Sequence, residues 1–300
     1  MRLLTSTALA LLIALPAAAQ DWRTDYRVVR FGILSGENES DRIARYTPFE
    51  KYLETALGID VEIFTAGSYD GVIQALAADQ IEFAFLGSSA YAAVWKETEG
   101  GVVPLLVTKD QNGSTGYYSI ITVRCDSGLA TIDDLKGKVV AFADPDSTSG
   151  YAVPFYNLVQ QGYDPTTFFA AAPFSGSHEA GVAGVANGQF DAAATYQTNE
   201  TNGIPQRMVD KGMIKAGEVC SIWQSPEITN GPFTARANLP QGLIDEMKAA
   251  VLATPVAAPD AFLQMTGGDL STTAGYVEVA HDRYQWIVDM REWLRKQRRS

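Results

Sequence analysis

Apolar positions along this chain recur with two periods that take turns. Residues 27–34 (RVVRFGIL) are apolar nearly throughout, and in residues 41–57 Ile43, Tyr46, Phe49, Leu53 and Leu57 fall at helical spacing. The first run predicts a strand and the second an amphipathic helix, which Gly58 ends. The same succession returns as a strand over 60–66, a helix over 69–78 and a strand over 81–86 that closes on Gly87-Ser88-Ser89. Repeated β-α-β order predicts a mostly parallel sheet with helices on both faces. Strands over 102–108 and 116–124 follow. The alternation then restarts, with a short helix at 132–135, a strand at 139–143, a helix at 151–161 and a strand at 168–174. A helix at 178–187 and strands at 190–196 and 219–223 complete the second series. From residue 239 the pattern turns helical, over 241–253, 257–265 and 276–299.

Two β-α series joined by a long strand predict two α/β lobes linked by two crossing strands. The chain is also longer than one ordinary domain. The crossings are expected near 122 and 225. That assigns 20–122 with 225–300 to lobe one and 123–224 to lobe two, with the helical tail packed back on lobe one. Ligands of such sheets sit beyond the carboxyl ends of the strands, so the loops at 66–69 and 87–91 can face a common cleft.

The N-terminus changes the setting. Arg2, an apolar run over 8–15, Pro16 and three alanines read as a signal peptide over 1–19, cleaved after Ala19. The apolar run is too short to span a bilayer, and no cysteine follows the small residues to carry a lipid. An exported, periplasmic chain is expected. Its formal charge of -12 argues against nucleic acid as a partner. A small anion remains compatible, provided that backbone dipoles and hydroxyls hold it locally. Cys125 and Cys220 are expected to form a disulfide in an oxidising compartment, two separate buried thiols being the alternative. With two histidines and no Cys-x-x-Cys, no metal cluster of ordinary spacing can be assembled, and no cofactor is expected.

The densest candidate chemistry lies at 141–151, Ala-Phe-Ala-Asp-Pro-Asp-Ser-Thr-Ser-Gly-Tyr. An apolar strand there runs into a proline-broken turn, three hydroxyl residues and a helix start. A helix start leaves backbone N–H groups without intrahelical partners and carries partial positive charge, so it can hold an anion. Ser147, Thr148 and Ser149 add hydroxyls, and Gly150 would let a ligand oxygen approach the backbone. The plainer alternative is that Ser147 or Thr148 only caps the helix. Tyr69, Ser88, Ser89 and Tyr117 converge on the same cleft. His178 opens a helix after Ser175-Gly176-Ser177, either as a charge-assisted donor to a phosphoryl oxygen or as an ordinary capping or core histidine.

These residues carry a resemblance. The entry strand with Phe31-Gly32-Ile33, the run Ser68-Tyr69-Asp70-Gly71-Val72-Ile73-Gln74, Gly116-Tyr117-Tyr118-Ser119, Gly176-Ser177-His178-Glu179 and the run 185–191 are similar to the phosphonate-binding periplasmic protein family. Asp144-Pro145-Asp146-Ser147-Thr148-Ser149-Gly150 is the most specific element. That family supplies the substrate-binding component of phosphonate and phosphite ABC importers. The resemblance implies a type II periplasmic-binding-protein fold, with a tetrahedral phosphonyl head held by Tyr69, Tyr117, Ser147, Thr148, Ser149 and His178. Members that bind 2-aminoethylphosphonate hold its amine with two carboxylates. The first falls in 195–200, where the match gives Thr198 without a gap, Asn199 after a one-residue shift and Glu200 after two. The second falls at Gly231. A smaller oxyanion such as phosphite or phosphate, or a phosphonate with a neutral tail, is therefore expected. The implied partner is an ABC permease in the inner membrane, served by a monomer. Delivery to a sensor kinase and a secreted enzyme on the same fold are the alternatives. No cysteine falls in the cleft loops, and there is no strand-turn-helix nucleophile elbow.

Overall fold

A computed structural model describes residues 21–267 and 272–297, so the signal peptide expected over 1–19 lies outside the described residues. The first half of the chain runs β1 (Val28–Ile33), α1 (Glu39–Leu57), β2 (Asp60–Thr65), α2 (Tyr69–Ala77), β3 (Phe83–Phe85), α3 (Ser88–Glu97), β4 (Val102–Asp110) and β5 (Gly116–Arg124). It continues with β6 (Val140–Ala141), α4 (Val153–Gln160), α5 (Pro165–Phe168), α6 (His178–Ala186), β7 (Ala192–Asn199), β8 (Asn202–Gly203), α7 (Ile204–Asp210), β9 (Val219–Gln224) and β10 (Ile228–Thr229). The last elements are β11 (Phe233–Arg236), α8 (Gln241–Ala257), α9 (Pro259–Thr266), β12 (Thr273–Glu278) and α10 (Gln285–Gln297).

Two six-stranded sheets result. The first has the order β12-β4-β11-β3-β1-β2. The second has the order β10-β5-β7-β6, with β9 also on β5 and β8 on β7. Only β1 with β2 and β3, and β6 with β7, pair in parallel as strands, so the sheets are mixed instead of mostly parallel. The reason is local: β4 turns into β5, and β11 and β12 return to the first sheet as antiparallel strands. The chain changes sheet at 111–115 and 230–232, placing β5 and β10 wholly in the second sheet; the crossings expected near 122 and 225 are displaced accordingly. The turn at 111–115 is polar, and Gly113 takes φ +87° there, a conformation that costs a glycine little.

Two further stretches differ from their expected form. Residues 276–278, expected in the last helix, belong to β12, whose inward and outward positions alternate against β4. Residues 168–174, expected as a strand, are the end of α5 followed by two isolated bridges from Ala171 and Phe174. Pro173 has no N–H to donate to a ladder at that point.

The first sheet packs α1, α8 and α9 around Phe31, Phe49, Leu53, Phe83, Phe233 and Phe262, all at 1% exposure or less. Burying a side chain of that size stabilises the fold by about 1.5–3 kcal/mol each. Around the second sheet, Ile121, Val140, Phe142, Tyr151 and Leu158 form the corresponding core. The C-terminal helix departs from α8 and α9. Ile287, Val288 and Leu294 of α10 pack with Ala92 of α3 and with Tyr151 and Phe155 of the second sheet's layer, so this helix spans both halves. A disulfide joins Cys125, just past β5, to Cys220 in β9, with Cα atoms 5.0 Å apart.

Candidate functional site: a hydroxyl-lined cavity between the sheets

The loop after β6 is held from within. Ser147 N–H donates to Asp144 O (3.0 Å), Asp146 N–H donates to Asp144 Oδ1 (2.8 Å), and Ala143 N–H donates to Gly150 O (2.9 Å). Ser147 then caps a π-helical turn, Thr148–Ala152, its Oγ accepting from Gly150 N–H at 3.0 Å. Capping, the plainer alternative, is thus present. It does not use up the helix start, because the N–H groups of Thr148 and Ser149 have no acceptor among the described residues. All three hydroxyl residues are at most 2% exposed. Unmatched donors that deep cost free energy unless an acceptor arrives, and an anion is such an acceptor.

Side chains from distant elements close on this loop. Tyr69 opens α2 and borders the same cavity as Ser147. Tyr117, on β5, borders the cavity beside Thr148 and Ser149. Burial pushes the Tyr69 phenol well above its ordinary range and Tyr117 up to about 12, so both stay protonated donors at neutral pH. His178 opens α6 behind a Ser177 cap, with Nε2 3.1 Å from Ser147 Oγ and Nδ1 3.2 Å from Thr195 Oγ1. Burial, with a smaller contribution from Arg207, drives this imidazole down to about 3. It is therefore a neutral imidazole at neutral pH in this structure. A neutral ring donates through one nitrogen only. Gly150 also serves another purpose than the expected one: a Cβ there would stand 2.5 Å from Ala143 Cβ and 2.8 Å from His178 Cε1, so the missing side chain admits the imidazole.

The loop, Tyr69, Tyr117 and His178 border a cavity of about 270 Å³ between the two sheets. Ser88 and Asn199 do not line it. The Ser88 hydroxyl donates to Thr229 O (2.6 Å), and Asn199 Oδ1 accepts from Thr201 N–H and Oγ1, both at 3.0 Å. Thr198 and Gly231 do line it, whereas Glu200 does not. Residues that the sequence reading passed over also reach the cavity: Glu37, Arg45, Tyr46, Thr108, Tyr196, Arg207 and Asn230. Burial raises the Glu37 carboxyl, but Arg45 and Lys211 outweigh it and hold the group below its ordinary range. Both Glu37 oxygens are engaged, Oε1 by Arg45 Nε (2.8 Å) and Oε2 by Lys211 Nζ (3.0 Å).

Bonds also cross between the halves around the cavity. Tyr69 N–H donates to Asp144 Oδ2 (3.3 Å), and Ser89 N–H to Thr148 Oγ1 (2.8 Å). Asn38 N–H donates to Glu179 Oε2 (2.9 Å). Arg291 of α10 donates to Ser89 Oγ and to Asp146 Oδ1, each at 2.7 Å. A larger concavity, about 470 Å³, lies outside this ring and is lined by Asp70, Ile73, Lys96, Tyr151, Arg291 and Arg295 among others.

Comparison with known proteins gives the family. The family model for the periplasmic substrate-binding protein of phosphonate ABC transporters matches residues 31–282. The chain belongs to this family. A phosphate-import protein of Mycolicibacterium smegmatis is 33% identical over 228 residues, 73% of this chain and 70% of the relative. The phosphonates-binding periplasmic protein of Escherichia coli is 31% identical over 236 residues, 77% of this chain and 67% of the relative. Among solved structures, a binding-protein component of a phosphonate ABC transporter from Pseudomonas aeruginosa superposes with a TM-score of 0.77 at 25% identity, covering 88% of this chain and 85% of that one. The phosphonate-binding family's two-lobed architecture accounts for the mixed sheets and for a site between them. Arg45, Arg207 and Asn230 escaped the sequence reading because no local motif marks them.

Proposed function

We propose that this chain is the periplasmic substrate-binding component of an ABC importer, and that it captures a phosphonate or related phosphorus oxyanion between its two halves for delivery to a membrane permease. The observation that carries this reading is the buried Ser147–Ser149 turn, whose unclaimed N–H groups and hydroxyls face Tyr69 and Tyr117 across the cavity. Each neutral bond contributes about 0.5–1.5 kcal/mol, and bonds to a charged acceptor more, so half a dozen convergent donors suffice for tight capture. The relatives named for phosphate and for phosphonates define the ligand class to be tested. The sheets act as two lobes hinged at 111–115 and 230–232. The closed arrangement gains the cross-lobe bonds of Tyr69, Ser89 and Arg291 only when the halves meet, and an oxyanion tips the equilibrium by contacting both. A tail bearing an ammonium finds no unpaired carboxylate, since Thr198 and Gly231 stand where the carboxylates were sought and Glu37 is already doubly paired.

One observation favours a second reading. Ser147 Oγ and His178 Nε2 are 3.1 Å apart, a spacing that a nucleophile and its general base could share. A base held down near 3 takes a proton poorly at neutral pH, and Thr195, not a carboxylate, faces its other nitrogen. Binding without turnover is therefore the reading adopted. Calorimetry of the mature chain with methylphosphonate, phosphite, phosphate and 2-aminoethylphosphonate tests it, with phosphorus-31 spectra of the same mixtures. Saturable binding of at least one of these anions, returned unchanged, is expected. Absence of binding, or release of a new phosphorus species, overturns it.

A further inference from the structure

The cavity has a second polar end that the capture of a phosphonyl head does not use. Arg207 of α7 lines it, and this guanidinium has no carboxylate within ion-pair distance among the described residues. Its Nη2 donates to Thr266 O (2.8 Å) and Asn202 Oδ1 (3.3 Å), both uncharged. Its Nε is buried without any partner. The other cavity arginine, Arg45, is by contrast spent on Glu37 and on Met265 O. A largely desolvated cation with an idle donor is costly, and an arriving anion relieves that cost.

Position separates Arg207 from the hydroxyl turn. The Tyr196 ring stands edge-on to His178 at 5.1 Å between centroids, and Arg207 Cζ lies 5.7 Å from the centre of the same ring. Tyr196 thus neighbours both the imidazole that touches Ser147 and the guanidinium. Gly267 leaves room for the guanidinium, since a Cβ there would come within 2.5 Å of Nη2, and the bonds to Thr266 and Asn202 hold it there. A planar fork held in one place suits a carboxylate, which it can meet with two parallel bonds.

We propose that Arg207 is a specificity-determining residue that receives the acidic tail of a phosphonocarboxylate, whose phosphonyl head occupies the Ser147–Ser149 turn. This rests on the oxyanion reading given above. It replaces the neutral tail expected from the sequence with an anionic one, and it excludes an ammonium tail.

The test is calorimetry with phosphonoacetate, 3-phosphonopropionate, methylphosphonate and 2-aminoethylphosphonate on the wild-type chain and on Arg207→Gln. In the wild type, one of the two acid-tailed ligands should bind at least about tenfold tighter than methylphosphonate, and 2-aminoethylphosphonate should bind weakest. Arg207→Gln should weaken the acid-tailed ligand at least about tenfold more than methylphosphonate. Equal losses for both ligands would mean that Arg207 only offsets the charge of the head, and that overturns the proposal. So would acid-tailed ligands no tighter than methylphosphonate in the wild type, a result that needs no variant to fold. Binding of methylphosphonate in either case leaves the oxyanion reading standing while the tail assignment falls. Binding of none removes both.

Discussion

The molecule offers two concavities at the meeting of its halves, and the proposed site is the smaller. The 470 Å³ hollow beside α10 is edged by charged groups that already answer one another, as Lys96 does Glu292 at 2.8 Å and Arg291 does Asp146. The 270 Å³ cavity is edged, beside its paired Glu37 and Arg45, by donors that answer nothing among the described residues: two amides of a helix start and Arg207 Nε. A ligand gains little where the walls are already paired. It gains most where desolvated groups await a partner. Volume ranks the two hollows one way and unmet bonding ranks them the other, and the second ranking follows the chemistry.

The sharpest way to break that comparison is at the hydroxyl turn. Ser147→Ala with Thr148→Ala removes two hydroxyls from the smaller cavity and the cap that holds its amides in place. Affinity for methylphosphonate should fall by about 3 kcal/mol, roughly a hundredfold, in calorimetry. Part of this comes through the turn itself, since losing a serine cap costs about 1 kcal/mol of stability. A melting curve taken alongside separates the two. Undiminished affinity in the double variant would remove the turn from the site.

His178 sharpens the comparison through pH. The folded imidazole is held down to about 3, whereas an unfolded histidine titrates near 6.5. Above 6.5 both states are neutral and the group leaves stability unaffected. As pH falls from 6.5 toward 3, the unfolded chain gains a proton that the folded chain refuses, so stability declines by up to about 1.4 kcal/mol per pH unit. His178→Gln keeps one donor and one acceptor but cannot titrate. Its denaturation midpoint should fall less steeply between pH 6 and about 4 than that of the wild type. Parallel curves would mean that the imidazole is not buried as described.

What the chain disclosed in advance follows from how local each feature is. The hydroxyl turn was legible because Ser147, Thr148, Ser149 and the strand before them are neighbours in sequence, and a helix start has a fixed chemistry. Strands β1 to β5 were legible for a similar reason, through runs with a clear period. The state of His178 was not legible. Its charge depends on the depth of burial and on Arg207, neither of which its own segment announces. Gly150 was singled out for the right property and the wrong neighbour, because the imidazole it makes room for comes from a different helix. Residues 276–278 misled because a Tyr-Val-Glu run ahead of a helix suits either state, and the pairing with β4 that decides it is contributed from far along the chain. The crossings were misplaced by one strand at each end, since neither β5 nor the two-residue β10 announces which sheet receives it.

Arg291 lies on the boundary between the two hollows and tests them together. It lines the larger one, yet its two donors join Ser89 of one half to Asp146 of the other, next to Ser147. Arg291→Met retains an apolar stem against the groove and loses both bonds. Because the residue does not line the smaller cavity, any effect must pass through closure. Methylphosphonate should bind about three- to tenfold more weakly, with the change in the release rate measured by stopped-flow fluorescence. A slower capture rate at unchanged release would show that the bonds form before closure instead of holding it.

The smallest expected effect completes the contrast. Lys96→Met removes the larger hollow's ion pair with Glu292, a pair between two well-exposed side chains, 58% and 39% accessible. Such pairs are screened by solvent and hold little, so affinity for methylphosphonate should stay within about twofold of wild type. The value of the measurement lies in its direction of failure. If losing Lys96 weakens binding as much as losing Ser147 and Thr148, the ligand meets the outer hollow before or instead of the inner one. Paired charges would then have outweighed unmet donors. If it does not, the outer hollow can be altered independently of capture, and a surface that closes with the site without touching the ligand is free to be read by whatever the closed protein meets next.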